Sequence, residues 1–118
     1  MLTTITNGSA TFTTRLNAPS DVILSVDGEL DMTNVSDFLD TAVLAAEDRS
    51  RVVIDLSGVK FFGTAGVSAL HALGDRYTAG DTPWAVVPSR NVDRVMRICD
   101  TDAIVPLKAT VDAAFASM

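Results

Sequence analysis

The spacing of apolar and polar residues changes several times along the chain, and each change marks an element. Residues 10 to 17, ATFTTRLN, are rich in β-branched side chains, and Val22, Ile23, Leu24, Ser25 and Val26 form a second such run. Ala18, Pro19 and Ser20 between them favour a turn, so the two runs predict an antiparallel hairpin. Asp27 and Gly28 are expected to break the second strand. Beyond them Val35, Phe38, Leu39, Ala42, Val43 and Ala46 recur at helical spacing. They predict a helix capped by Asp31 or Thr33, with Ser36, Asp37, Asp40 and Glu47 turned to water.

Arg51 to Asp55, RVVID, is apolar at every central position, as in a strand covered on both faces. Ser57 and Gly58 then predict a turn, and a second helix runs from about Thr64 to Tyr77. Its inner side carries Gly66, Val67, Leu70, Leu73, Gly74 and Tyr77, and its outer side Ala65, Ser68, Ala72 and Asp75. Gly80 stops it. Trp84 to Val87 is another all-apolar strand, and Pro88 with Ser89 opens a helix with Val92, Val95, Met96 and Cys99 on one face. Ile104 to Leu107 predicts a brief strand, and Val111, Ala114 and Phe115 a terminal helix. The order β-β-α-β-α-β-α-β-α predicts an α/β fold: a mostly parallel mixed sheet of about five strands, begun by an antiparallel hairpin, with about four helices. No repeat, linker or low-complexity tract interrupts it, so residues 1–118 read as one domain.

Composition narrows what such a domain does. Hydrophobic residues make up 47% and charged residues 20%, too apolar for a disordered tail. Nine Lys and Arg against 15 Asp and Glu leave a net charge of -6, which disfavours nucleic acid and anionic lipid as partners. The single Cys99 excludes an internal disulfide and multi-cysteine zinc sites, and the single His71 excludes paired-histidine zinc enzymes, so no cofactor or metal is expected. The opening MLTTITNGSATFTTRL has no signal-peptide pattern and no apolar run is long enough to span a bilayer. A cytoplasmic binding or switching protein, rather than an enzyme, is the expectation.

Three places hold candidate chemistry. Gly28, Glu29, Leu30 and Asp31 read as a bend with a capping carboxylate. The run Asp55 to Gly66, DLSGVKFFGTAG, ends a strand in a glycine-flanked loop that delivers Thr64 to the first turn of a helix. Thr64 there reads as an ordinary cap, and equally as a phosphate acceptor, because exposed amides and the helix dipole favour negative charge at that end. Gly63, Ala65 and Gly66 are small and leave the hydroxyl open to another protein. Ser68, His71 and Asp75 match the residue types of a catalytic triad, but one exposed helix stripe supplies neither convergence nor an oxyanion hole, so they read as a solvated face. Arg90, Arg94 and Arg97 form a basic stripe suited to water or an acidic protein patch, and Cys99 reads as a buried thiol. Lys60 completes no phosphate loop, since GxxxxGK[ST] is absent.

Gly28-Glu29-Leu30-Asp31, Val53-Ile54-Asp55-Leu56-Ser57-Gly58-Val59 and Phe62-Gly63-Thr64-Ala65-Gly66-Val67 together resemble the STAS domain of bacterial anti-sigma factor antagonists. Pro88-Ser89 through Val92, Val95 and Ile98 to Pro106 is similar to that family's third helix and last strand, and the resemblance extends from about Thr11 to Phe115. It implies a partner switch: binding of an anti-sigma factor that is also a serine/threonine-protein kinase, release of a sigma factor, phosphorylation of a loop hydroxyl that ends binding, and a protein phosphatase that restores it. The family's acceptor position falls on Thr64, and its aspartate after GEL falls on Asp31, which the resemblance places on the docking surface with Gly63, Thr64, Ala65, Gly66 and Ser68. Two positions depart from the pattern: Gly63 stands where the family carries an acidic residue, and Ala65 where it often carries a second hydroxyl. The alternative is a STAS scaffold or accessory module of a transporter or stress-sensing assembly, in which Thr64 is only a cap.

Overall fold

Alternating side chains in the central strands divide the core into two unequal halves. The computed structural model describes residues 2–7, 9–17 and 19–118. Strands β1 (Leu2–Asn7), β2 (Ala10–Asn17), β3 (Asp21–Leu30), β4 (Arg51–Phe62) and β5 (Trp84–Pro88) form a five-stranded sheet in sequence order. The pairs β1·β2 and β2·β3 are antiparallel, and β3·β4 and β4·β5 are parallel. Pro19 and Ser20 turn the predicted hairpin; Ala18 lies outside the described residues.

Helices α1 (Val35–Ala46), α2 (Thr64–Ala79) and α3 (Arg90–Cys99) all lie on one face, where Phe38, Leu70, Leu73, Tyr77 and Met96 bury Leu24, Val52, Ile54 and Leu56. This follows from handedness. The crossovers β3 to β4 to β5 advance in one direction, and right-handed connections advancing in one direction place their helices on one side. The opposite face, with Ile23, Val53, Ala85 and Val87, is closed by α4 (Val111–Ala116) through Ala114, Val111 and Phe115. Both faces of Arg51 to Asp55 are thus covered, as its apolar run requires.

Several expectations need correction. Asp27 and Gly28 do not end β3. The strand passes through them to Leu30 by a register shift, with Gly28 at φ +104° and Glu29 N–H donating to the carbonyl of Ser9 at 3.1 Å. Ser57 and Gly58 likewise lie inside β4. Gly58 is needed there for space, because a Cβ at that position would lie 1.9 Å from Oδ1 of Asp27. The fifth strand is Leu2–Asn7 rather than Ile104 to Leu107. In the latter segment Leu107 alone bridges to Val86, since Pro106 has no N–H to extend a ladder and contributes only its carbonyl, which accepts from Val86 at 2.8 Å. Cys99 is exposed, not buried; Met96 is the last residue of α3 that reaches the core.

Candidate functional site

Parallel pairing carries two loops to one end of the sheet. Leu30 and Phe62, the last residues of β3 and β4, are register partners, and the N–H of Gly63 donates to the carbonyl of Leu30 at 3.0 Å. Asp31 and Thr64 therefore leave neighbouring strands at their carboxyl ends, where α/β sheets present their binding crevices.

The Asp31 loop is held by its own side chains. The carboxylate accepts from the hydroxyl of Thr33 at 2.5 Å and from its N–H at 2.8 Å, and the hydroxyl bond leads in holding this carboxyl below its ordinary value. Neither Asp31 nor Thr33 caps α1. Asn34 occupies that position, and sequence reasoning missed it. It is fully buried: its Oδ1 accepts from the N–H of Asp31 at 3.1 Å, while its Nδ2 donates to the carbonyl of Glu29 at 2.8 Å. An asparagine one residue before a helical stripe was the available signal.

Thr64 is the first residue of α2, not its cap. Gly63 occupies the cap position with extended backbone at φ -83°, ψ 172°, and no side chain closes the helix end. The Thr64 side chain is exposed and, among the described residues, its hydroxyl has no hydrogen-bond partner. The two neighbouring glycines have different causes. A Cβ on Gly66 would lie 2.4 Å from the Phe62 ring, so the helix can seat on that ring only without a side chain there. A Cβ on Gly63 would meet nothing closer than 3.6 Å. Space therefore does not require a glycine at residue 63.

Thr64, Ala65 and Ser68 continue along α2 to Ala72 and face Met32, Val35 and Leu39 across a shallow, mostly apolar groove. Met32 is 86% exposed at its rim. Of the predicted contact residues, Thr64, Ala65 and Ser68 line this groove, Asp31 and Gly63 stand at its head, and Gly66 is buried beneath.

The other candidates do not converge. Ser68 and Asp75 point to water, whereas the Nε2 of His71 lies 2.9 Å from Oδ1 of Asp100, at the end of α3. That carboxylate is buried; burial pushes its pKa up, but hydrogen bonds from the N–H of Val105, from His71 and from the N–H of Ile104 outweigh it and hold the value down. Arg97 pairs with Asp93 at 2.8 Å. Lys60 serves through its backbone carbonyl, which accepts from Asn91. Among the described residues no cluster of three metal-ligating side chains occurs, and no helix is long and apolar enough to cross a membrane.

The family profile described as the STAS domain matches residues 13–114. The chain belongs to the STAS family. Among solved structures, this STAS domain is similar to an anti-sigma factor antagonist from Mycobacterium paratuberculosis, with 26% identity, a TM-score of 0.77, and 92% of this chain and 93% of that chain covered. It is also similar in fold to the anti-sigma factor antagonist SpoIIAA in its unphosphorylated form, at 17% identity and TM-score 0.73, covering 90% of this chain and 94% of that one. The phosphorylated form of the Bacillus cell fate determinant SpoIIAA matches at 16% identity and TM-score 0.67, with 90% and 97% covered. Comparison with curated protein sequences gives no match. The sheet of five strands and the helices α1 to α4 are the STAS fold that the DLSGV and GTAG segments imply.

Proposed function

We propose that this chain is a cytoplasmic anti-sigma factor antagonist, a non-catalytic module that binds an anti-sigma factor of the serine/threonine-kinase type and thereby frees a sigma factor. The surface formed by Asp31, Gly63, Thr64, Ala65 and Ser68, with Gly66 seating it from beneath, is the docking face, and phosphorylation of Thr64 ends docking until a phosphatase reverses it. The observation that carries this reading is the placement of Thr64: exposed, without a partner, at the first position of α2 and beside the Asp31 loop. The Mycobacterium relative, itself an anti-sigma factor antagonist, supports the general role.

A phosphoryl group at that position would add a charge of about -1.5 to -2. The fold tolerates it, because the helix dipole and the outward amides of the first turn favour an anion there. A partner closing over the small residues 63 and 65 and the apolar groove does not, since it would desolvate that charge. A penalty of about 4 kcal/mol weakens binding roughly a thousandfold.

The experiment is affinity capture from cell extract with the wild-type chain, Thr64→Ala and Thr64→Glu. Wild type and Thr64→Ala should retain an ATP-binding anti-sigma factor and Thr64→Glu should lose it. Equal capture by Thr64→Glu would overturn the switch. The departures at Gly63 and Ala65 favour a second reading, a STAS scaffold in a transporter or stress-sensing assembly. Under that reading incubation with the captured kinase and ATP leaves the mass of the chain unchanged.

A further inference from the structure

The geometry points to a binding cleft for a small organic anion, between α3 and residues 103–109, lined by none of the residues of the Thr64 surface. Its origin is topological. Leu107 runs parallel to Val86 for a single bridge, with the N–H of Lys108 donating to the carbonyl of Val86 at 2.9 Å. Immediately afterwards the two paths diverge, β5 into α3 and residues 108–110 toward α4. Divergence at the carboxyl end of a parallel pair opens a crevice, here of about 760 Å³, within the range of small-molecule sites.

The lining defines the ligand. Met96, Val105 and Leu107 make an apolar floor, while Arg90 at the first position of α3 and Lys108 across the cleft supply two cations from separate segments. Two carboxylates also line it, and both are engaged: Asp93 pairs with Arg97, and Asp100 accepts from His71, Ile104 and Val105. Among the described residues neither Arg90 nor Lys108 has a carboxylate partner, and Lys108 is half-buried. In a chain of net charge -6, this leaves a cleft whose Arg90 and Lys108 have no ion-pair partner and whose lining, with the Asp100 carboxylate counted, is net positive above an apolar floor. Its occupant is a compact anionic head, phosphate or carboxylate, on an apolar body.

The test is a titration of the isotopically labelled chain, followed by amide NMR, with phenyl phosphate, benzoate and uncharged benzyl alcohol. Saturable shifts confined to residues 89–100 and 103–109 are expected with the two anions and absent with the alcohol. Tighter binding of phenyl phosphate assigns a phosphate head, and tighter binding of benzoate a carboxylate. Arg90→Ala and Lys108→Ala should each weaken binding about tenfold with an unchanged far-UV spectrum, and Thr64→Ala should leave it unaltered. The site is refuted by equal shifts with benzyl alcohol, by shifts scattered over Arg15, Arg49 and Arg76, or by wild-type affinity in Lys108→Ala. None of these readouts involves an anti-sigma factor, so the cleft and the docking surface stand or fall separately.

Discussion

The backbone N–H of Gly63 donates to the carbonyl oxygen of Leu30 at 3.0 Å, and this single bond ties the loop that presents Thr64 to the loop that presents Asp31. The two residues are more than thirty positions apart in the chain, yet they reach one surface because β3 and β4 end in register.

The glycines flanking Thr64 should respond in opposite ways. Gly66→Ala forces a methyl within 2.4 Å of the Phe62 ring and should cost about 1–3 kcal/mol by urea denaturation. Phe62→Leu in the same chain should recover part of that loss. Gly63→Asp, whose Cβ meets only ordinary contacts, should stay within about 0.5 kcal/mol of wild type. It would also restore the acidic neighbour that the family pattern carries. A large loss in Gly63→Asp would contradict the open geometry at the cap position.

Because Thr64 is not a cap, Thr64→Ala should cost almost nothing, within about 0.5 kcal/mol, rather than the loss of about 1 kcal/mol that follows removal of a capping hydroxyl. Thr64→Glu places a carboxylate in the first turn and should be neutral or stabilising by about 0.3–1 kcal/mol at low salt. Thermal melts at low and high salt separate the dipole contribution, which salt screens. If both variants melt far below wild type, loss of partner binding in them would report misfolding and not a switch.

Arg51 joins three elements. Its Nε and Nη2 donate to the buried Asp21 at 2.9 and 2.5 Å, its Nη1 donates to the carbonyl of Phe115 at 3.2 Å, and the guanidinium lies 4.9 Å from the centre of the Phe115 ring. Arg51→Ala leaves the Asp21 carboxylate without its partner and should destabilise the chain at neutral pH. The hydrogen bonds from Arg51 outweigh burial and hold the Asp21 pKa below the ordinary 3.8. A lowered carboxyl value means that the unfolded chain binds the proton first. The stabilisation is thus complete above 3.8 and is lost as pH falls through the folded value. Denaturation curves should show the gap between wild type and Arg51→Ala shrinking as pH falls below that point, and a constant gap would refute the coupling.

Gly28→Ala combines a left-handed backbone at φ +104° with a Cβ 2.0 Å from the carbonyl oxygen of Ser9. Strain of about 1–3 kcal/mol is expected from the backbone alone. The loss should exceed that of Gly66→Ala, because the obstacle is backbone rather than a ring able to tilt. Equal melting temperatures for the two variants would contradict this ranking.

The helices were legible because their signal is local. The stripe from Val35 to Ala46 and the inner face of Leu70, Leu73 and Tyr77 appear at helical spacing; the second is buried throughout, while in the first Phe38 and Ala42 are buried and Val35, Leu39, Val43 and Ala46 pack partly buried against the core. Ser89 also caps α3 as its position suggests, accepting from the N–H of Val92 at 3.2 Å. Strand limits were less legible. Asp27, Gly28, Ser57 and Gly58 are turn residues by type, but they lie inside β3 and β4, whose register shifts accommodate them. Cys99 shared a face with Val92 and Met96 on the helical wheel, but a wheel does not show where the sheet beneath ends.

Residue pattern alone determined the α/β class, the helix faces and the presence of a bare loop at Thr64, since each depends on neighbours within a turn or a strand. The tertiary structure alone decided that Leu2–Asn7 rather than Ile104 to Leu107 completes the sheet, that Asp31 and Thr64 share one surface, that His71 meets Asp100, and that α3 diverges from residues 103–109 to open a cleft. Those relationships are hydrogen bonds and packing between segments distant in the chain, and their geometry is set by strand register and crossover handedness, which no local window of sequence contains.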